Sequence, residues 1–178
     1  VLPECTTWLI DAMATVASET YTSTSAPIQY AAVRAFLPDK DIDDYLVKCK
    51  TILQELSRMV MDILVTADIE ALPPQGGFYI FPDFENYRQQ LAERGITTSR
   101  ELCSRLLEET GVAILPGSYL GRDPSELTAR IAYIDFDGKK ALSNYPHNGQ
   151  LHPDFIKHYC GKTLEAVQRL AEWISHSP

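Results

Sequence analysis

The sequence predicts an α+β fold, in which a small sheet of about three short strands packs in two layers against several helices. Two observations carry this prediction. Between Ile42 and Leu64 the apolar residues recur at helical spacing over a long run. Three short apolar segments, at 77–81, 112–115 and 127–136, are bounded by glycine and proline, as strands between turns are. The element order is helices, strand, helix, two strands, helix. With no internal repeat, low-complexity tract or linker, residues 1–178 read as one domain.

The elements follow in order. Trp8, Leu9, Ala12, Met13 and Val16 mark a first helix, which the hydroxyl-rich stretch from Ser18 to Ser25 ends as a loop. Pro27 suits the first turn of a second helix through Gln29, Ala32 and Val33, and Pro38 stops it. Asp39 or Asp41 can cap the long helix, whose apolar face from Ile42 to Leu64 implies a length of roughly 35 Å. Gly77–Phe81 follows a Pro-Pro-Gln-Gly-Gly turn and is aromatic and β-branched, hence a strand. A capping box from Thr98 to Glu101 and a stop at Gly111 frame the next helix. Val112–Leu115 is the second strand, ending at Pro116-Gly117, and Leu127–Phe136 the third, ending at Asp137-Gly138. A polar loop from Ser143 to Pro153 then leads to a closing helix through Phe155, Tyr159, Leu164, Val167, Leu170, Trp173 and Ile174.

Composition narrows the function classes. Hydrophobic residues make up 45% and charged residues 22% of the 178, which is globular composition. A chain of this length buries roughly 70% of its unfolded surface without needing disulfides or metals. Sixteen basic residues against 24 acidic give a net charge of -8, and Lys139-Lys140 is the only adjacent basic pair, so nucleic acid is not an expected partner. Cys5, Cys49, Cys103 and Cys160 are far apart and form no C-x-x-C pair, which points to reduced thiols in a cytoplasmic protein. There is no apolar run of membrane-spanning length, and the N-terminus lacks the basic and apolar regions of a secretory leader. The missing initiator methionine suggests a shortened or processed chain.

Common catalytic motifs are absent. Gly117-Ser118-Tyr119-Leu120-Gly121 has the wrong spacing for a nucleophile elbow, and no P-loop or dinucleotide fingerprint occurs. His147, His152 and His158 fit no zinc spacing and read as solvated loop residues, so no metal is expected.

Arg130 is the most informative side chain. It shares a strand face with Thr128, Ala132 and Ile134, while Leu127, Ala129, Ile131 and Tyr133 form the other. Both faces are mostly apolar, so the strand is expected to be covered on both sides and the guanidinium to need an anionic partner. An arginine fork suits a carboxylate held by two parallel hydrogen bonds. An Asp or Glu of the same domain would serve equally, and internal ion pairs of that kind are the commoner arrangement.

Four ordered segments resemble the small, C-terminal domain of class I and II, fold-type-I, pyridoxal-phosphate-dependent aminotransferases. They are Ser23–Ala32, Pro74–Pro82, Glu109–Ser118 with Gly121 following, and Leu127–Ala132. The resemblance implies that Arg130 binds the α-carboxylate of an amino-acid substrate, turning its amino group toward the cofactor aldehyde. It implies that Tyr21, Ser23 and Ser25 lie near a dimer interface and approach the phosphate of the partner's cofactor, although loop capping would account for each hydroxyl as well. It implies a homodimeric parent using amino-acid and 2-oxo-acid substrates with pyridoxal 5'-phosphate. Gly76-Gly77 and Pro116-Gly117 resemble turns at the active-site mouth, where plain turn geometry is an equal account.

The departures are as informative. The family's Schiff-base lysine precedes the hydroxyl loop, whereas the first lysine here is Lys40. The ring-pairing Asp, the stacked aromatic and most of the phosphate cup are also missing. The N-terminal cofactor-binding domain is therefore expected to be absent, no cofactor is expected on this chain, and no catalytic residue is assigned within it. The loop from Lys139 to Pro153 is longer than the usual family pattern, and the resemblance assigns it no role. Other reactions of the same fold (lyase, decarboxylase or synthase) remain open, as does a non-catalytic binding or sensor domain with Arg130 in an internal salt bridge.

Overall fold

The computed structural model describes residues 4–175. The chain divides at Tyr45–Leu46 into two compact units, a boundary that falls within the third helix.

The first unit holds α1 (Thr7–Thr20) and α2 (Ala26–Ala35), and the third helix, α3 (Lys40–Thr66), begins in it. Helix α1 runs past Ser18, where the sequence predicts a loop, because an isolated hydroxyl residue is tolerated when its neighbours continue the ladder. Pro27 occupies the first turn of α2 as expected. The Asp39 carboxylate accepts from the Asp41 amide at 2.9 Å, which caps α3, and it also pairs with Arg34. No side chain of α1 or α2 is buried; Trp8 is 65% and Phe36 89% exposed.

The second unit is an α+β layer. Strands β1 (Tyr79–Ile80), β2 (Leu115–Pro116) and β3 (Ala129–Ala132) form an antiparallel sheet in the order β1-β3-β2. All three are shorter than the apolar segments suggest. A segment counts as strand only where a neighbour reaches it in a continuous ladder, and Leu127–Phe136 meets the short runs of β1 and β2 and, at Thr128, an isolated bridge to Asp83. Ile80, Ala129 and Ile131 turn into a core built with Ile52, Leu56, Val60 and Leu64 of α3. Leu102 and Leu106 of α5 (Ser99–Thr110) join it, as do Val167, Leu170 and Ile174 of α8 (Gly161–Ser175).

The capping box of α5 is present. Thr98 Oγ1 accepts from the Glu101 amide at 3.2 Å, and the Glu101 carboxylate accepts from the Thr97 and Thr98 amides. Gly111 ends the helix at φ 76°, a conformation costly for a side chain-bearing residue. Helices α4 (Arg88–Glu93) and α6 (Gly138–Ser143) were not legible in the pattern, being too short for periodicity to show. Lys139–Ser143 is therefore helix, not loop. The closing helix is two, α7 (Pro153–Tyr159) and α8, broken at Cys160-Gly161.

A clasp joins the end of α5 to α8. The Trp173 indole donates to Glu109 at 2.7 Å, Arg94 and Arg105 pair with the same carboxylate, and the Arg94 guanidinium lies 4.1 Å over the Trp173 ring. These partners, the Trp173 hydrogen bond first, hold the Glu109 carboxyl below the usual carboxylate range. A depressed folded-state value means the stabilisation is present above the unfolded-state value and is lost as pH falls through the folded one. Because Glu109 is 37% exposed, solvent screening limits the effect to about 1 kcal/mol or less. Glu109→Gln should lower the unfolding free energy by that amount at pH 7 and by less at pH 2.5, in urea titrations followed by circular dichroism. An equal loss at both pH values would show that the charge contributes nothing.

Candidate functional site

The site forms on the open face of the sheet. In the register Tyr79↔Ala132 and Leu115↔Arg130, the side chains of Tyr79, Ala132, Arg130 and Leu115 share one face, opposite to Ile80, Ile131 and Ala129. The inner face is closed, with Leu127, Ala129, Ile131 and Tyr133 all buried. The outer face departs from the expectation of cover on both sides. Thr128 is buried at one end, but Arg130 is half-buried, Ala132 is exposed, and Tyr79 and Ile134 are 44% and 43% exposed. The core residues of α3, α5 and α8 pack on the inner side of the sheet, with Ile80, Ala129 and Ile131.

The Arg130 side chain makes no ion pair or hydrogen bond among the described residues; its guanidinium lies 4.4 Å from the centroid of the Tyr79 ring. The chain's other arginines set this apart. Seven of the nine, Arg34, Arg58, Arg88, Arg94, Arg105, Arg122 and Arg169, pair with carboxylates. Arg100 is exposed. Arg130 alone is both partly withdrawn from solvent and without a carboxylate among the described residues. The internal salt bridge that the sequence left open is not formed among the described residues.

Two turns hold the flanking strands. The buried Tyr133 hydroxyl donates to the Gly77 carbonyl at 3.2 Å, and the Tyr133 amide donates to Phe78, which fixes the turn entering β1. Burial pushes the Tyr133 phenol up from its ordinary range. On the other side, the Gly117 amide donates to the Thr128 carbonyl at 2.8 Å. A Cβ at Gly117 would overlap Thr128 Oγ1 and stand 3.0 Å from its carbonyl oxygen, so the glycine is needed for this close approach.

Tyr21, Ser23 and Ser25 lie in the first unit, Arg130 in the second. Tyr21 is the C-cap of α1 and 66% exposed. Ser25 is the N-cap of α2, but its hydroxyl makes no capping hydrogen bond; its carbonyl accepts the first helical bonds. Capping therefore does not account for that hydroxyl. The three offer neutral donors with no cation among them, a poor match for a phosphate dianion taken alone. The chain's seven lysines are all exposed side chains, none enclosed as an imine-forming lysine beside a cofactor ring would be.

Elsewhere, His152 caps α7 with a contact of 3.4 Å to the Asp154 amide and is well exposed, whereas His158 lies within α7 and not in a loop. No group of three His, Cys, Asp or Glu side chains among the described residues could hold a metal. Cys103 and Cys160 are buried, their thiols pushed up to about 12 and about 11 by desolvation, which keeps them unreactive. No helix of the described residues is long and apolar enough to cross a membrane. Sequence reasoning missed Tyr79. Its alternation with Ile80 was visible, but only the strand register places it beside Arg130.

Comparison with known proteins identifies the family. The chain is 32% identical over 132 residues to the aspartate/prephenate aminotransferase of Cereibacter sphaeroides, covering 72% of this chain and 32% of that protein. It is 34% identical over 98 residues to 1-aminocyclopropane-1-carboxylate synthase 6 of Oryza sativa, covering 55% of this chain and 18% of the relative. The chain thus spans about a third or less of these relatives' length. Among solved structures, the aromatic aminotransferase of Pyrococcus horikoshii superposes with a TM-score of 0.64 over 94% of this chain and 36% of its own, at 24% identity, which establishes a shared fold. Residues 4–135, including both strands that flank Arg130 and the strand that carries it, match the model for aminotransferase class I and II, and the chain belongs to that family.

Proposed function

We propose that this chain forms the C-terminal part of a pyridoxal-phosphate-dependent aminotransferase, with Arg130 as the receptor for the substrate carboxylate. The observation that supports the reading is the half-buried, carboxylate-free guanidinium on an open sheet face. Its two parallel N–H donors match the two oxygens of an amino-acid or 2-oxo-acid carboxylate. Holding that end fixes the position of the amino group or carbonyl carbon, and restricting its motion lowers the entropic barrier.

In this reading the cofactor, the lysine that binds it and most of the phosphate cup belong to a part of the longer protein outside these 178 residues. The longer protein is a homodimer, and Tyr21, Ser23 and Ser25 face the cofactor phosphate of the second subunit, where cations of that subunit supply the missing charge. The 178-residue chain alone transfers no amino group. The synthase among the relatives shows that one family serves more than one reaction. A carboxylate receptor is required by either reaction, so Arg130 keeps its role in both.

Arginine-specific modification tests the receptor directly. With the 178-residue chain and p-hydroxyphenylglyoxal, 2-oxoglutarate or L-aspartate should slow labelling of Arg130, and ethylamine should not. Exposed Arg100 serves as the internal control and should be unaffected. Equal labelling of Arg130 with and without carboxylate would end its assignment as a receptor.

A further inference from the structure

Arg130 needs more than a vacant fork to act as a receptor. A guanidinium on a flexible stem samples many rotamers, and each one fixed on binding costs free energy. A side chain that already holds the fork in its binding orientation removes part of that cost.

We infer that Tyr79 is this positioning residue. It stands opposite Ala132, so it is the diagonal cross-strand neighbour of Arg130 on the same face, a separation that aromatic and long side chains readily bridge. The Arg130 guanidinium carbon lies 4.4 Å from the ring centroid. A guanidinium lying parallel to the ring at this distance would turn its flat face to the π surface and leave its edge N–H groups free. Those edges carry the bidentate geometry. A carboxylate on the fork would therefore meet donors that no group of the protein competes for.

The ring itself is braced. Phe78, packed against the core, lies with its ring centroid 4.5 Å from that of Tyr79 at 51°. Phe78 accepts the Tyr133 amide through its carbonyl, and the buried Tyr133 hydroxyl holds the adjoining Gly77. Support thus passes from the core to Tyr133, to the Gly77–Phe78 backbone, to the Tyr79 ring, to the guanidinium. Nothing in this arrangement uses the Tyr79 hydroxyl, so Phe should replace Tyr without loss, whereas an aliphatic residue should not. This inference rests on the reading of Arg130 as a carboxylate receptor.

The test separates the two. In the full 178-residue chain, the Arg130 Nε–Hε resonance, assigned by its loss in Arg130→Lys, reports the stack through the ring current. It should stand upfield in the wild type and in Tyr79→Phe, and return to the free-arginine position in Tyr79→Leu. Titration with 2-oxoglutarate, with acetate as the minimal probe, should then move this resonance. Affinity should be retained in Tyr79→Phe and fall about two- to fivefold in Tyr79→Leu. Equal thermal midpoints in the three chains would exclude a general loss of fold. A wild-type Arg130 that ignores both carboxylates overturns the receptor and, with it, the role of Tyr79. A wild-type response matched by Tyr79→Leu overturns the positioning role alone.

Discussion

Replacing Leu56 with Ala is expected to lower the stability of the Leu46–Pro178 unit by about 3 kcal/mol. Leu56 is fully buried near the middle of α3, in the core that also receives Ile80 and Ile131 from the inner sheet face. Truncation removes apolar contacts and leaves a cavity that neighbouring side chains fill only in part, so the loss exceeds the transfer free energy of the deleted carbons alone. Two companions calibrate the result. Val60→Ala, equally buried but smaller, should cost less, and Val47→Ala, 58% exposed on the same helix, should change stability by about 0.5 kcal/mol or less. Guanidinium unfolding monitored by Trp173 fluorescence in a Trp8→Phe background would report the second unit specifically. A Leu56 loss no larger than that of Val47 would mean that α3 does not pack on the sheet as described.

The contrast between Leu56 and Val47 also marks how far the sequence could be read. Helical spacing from Ile42 to Leu64 located α3 and one apolar face of it, because periodicity is a property of the local chain. It could not say what covers that face. In this structure Ile52, Leu56, Val60 and Leu64 are buried, but Tyr45 and Leu46, on the same predicted stripe, are 53% and 42% exposed. Arg130 shows the same division. Its residue type and strand setting called for an anionic partner, and the alternation correctly placed Leu127, Ala129, Ile131 and Tyr133 on one buried face. Whether the other face was covered, and whether a carboxylate of the chain reached the guanidinium, depended on register and helix placement. Tyr79 and the clasp of Glu109 with Trp173 lie beyond sequence reading for that reason. Their partners are 51 and 64 residues distant along the chain, and no local pattern joins them. The capping box at Thr98 and the stop at Gly111 were legible because their partners lie within one turn.

Gly117→Ala is expected to destabilise the chain by about 2 kcal/mol and to loosen the strand that carries Arg130. The added methyl would overlap Thr128 Oγ1 and press on the Thr128 carbonyl, which accepts the Gly117 amide just before β3 begins. The hydroxyl has no hydrogen-bond partner among the described residues, so it can be deleted to separate the two contacts. Thr128→Ala removes the side-chain overlap but leaves the carbonyl 3.0 Å from the new carbon. The double variant should therefore recover part, not all, of the Gly117→Ala loss, and the two changes should be non-additive in a double-mutant cycle. If the strain is relieved by moving Thr128, β3 shifts against β2 and carries Arg130 with it, since Leu115 and Arg130 are direct cross-strand partners. The Arg130 Nε–Hε resonance should then move in Gly117→Ala and return toward its wild-type position in the double variant. Strict additivity, with that resonance unmoved, would show that Gly117 is only a turn residue and that its close approach to Thr128 does not set the position of Arg130.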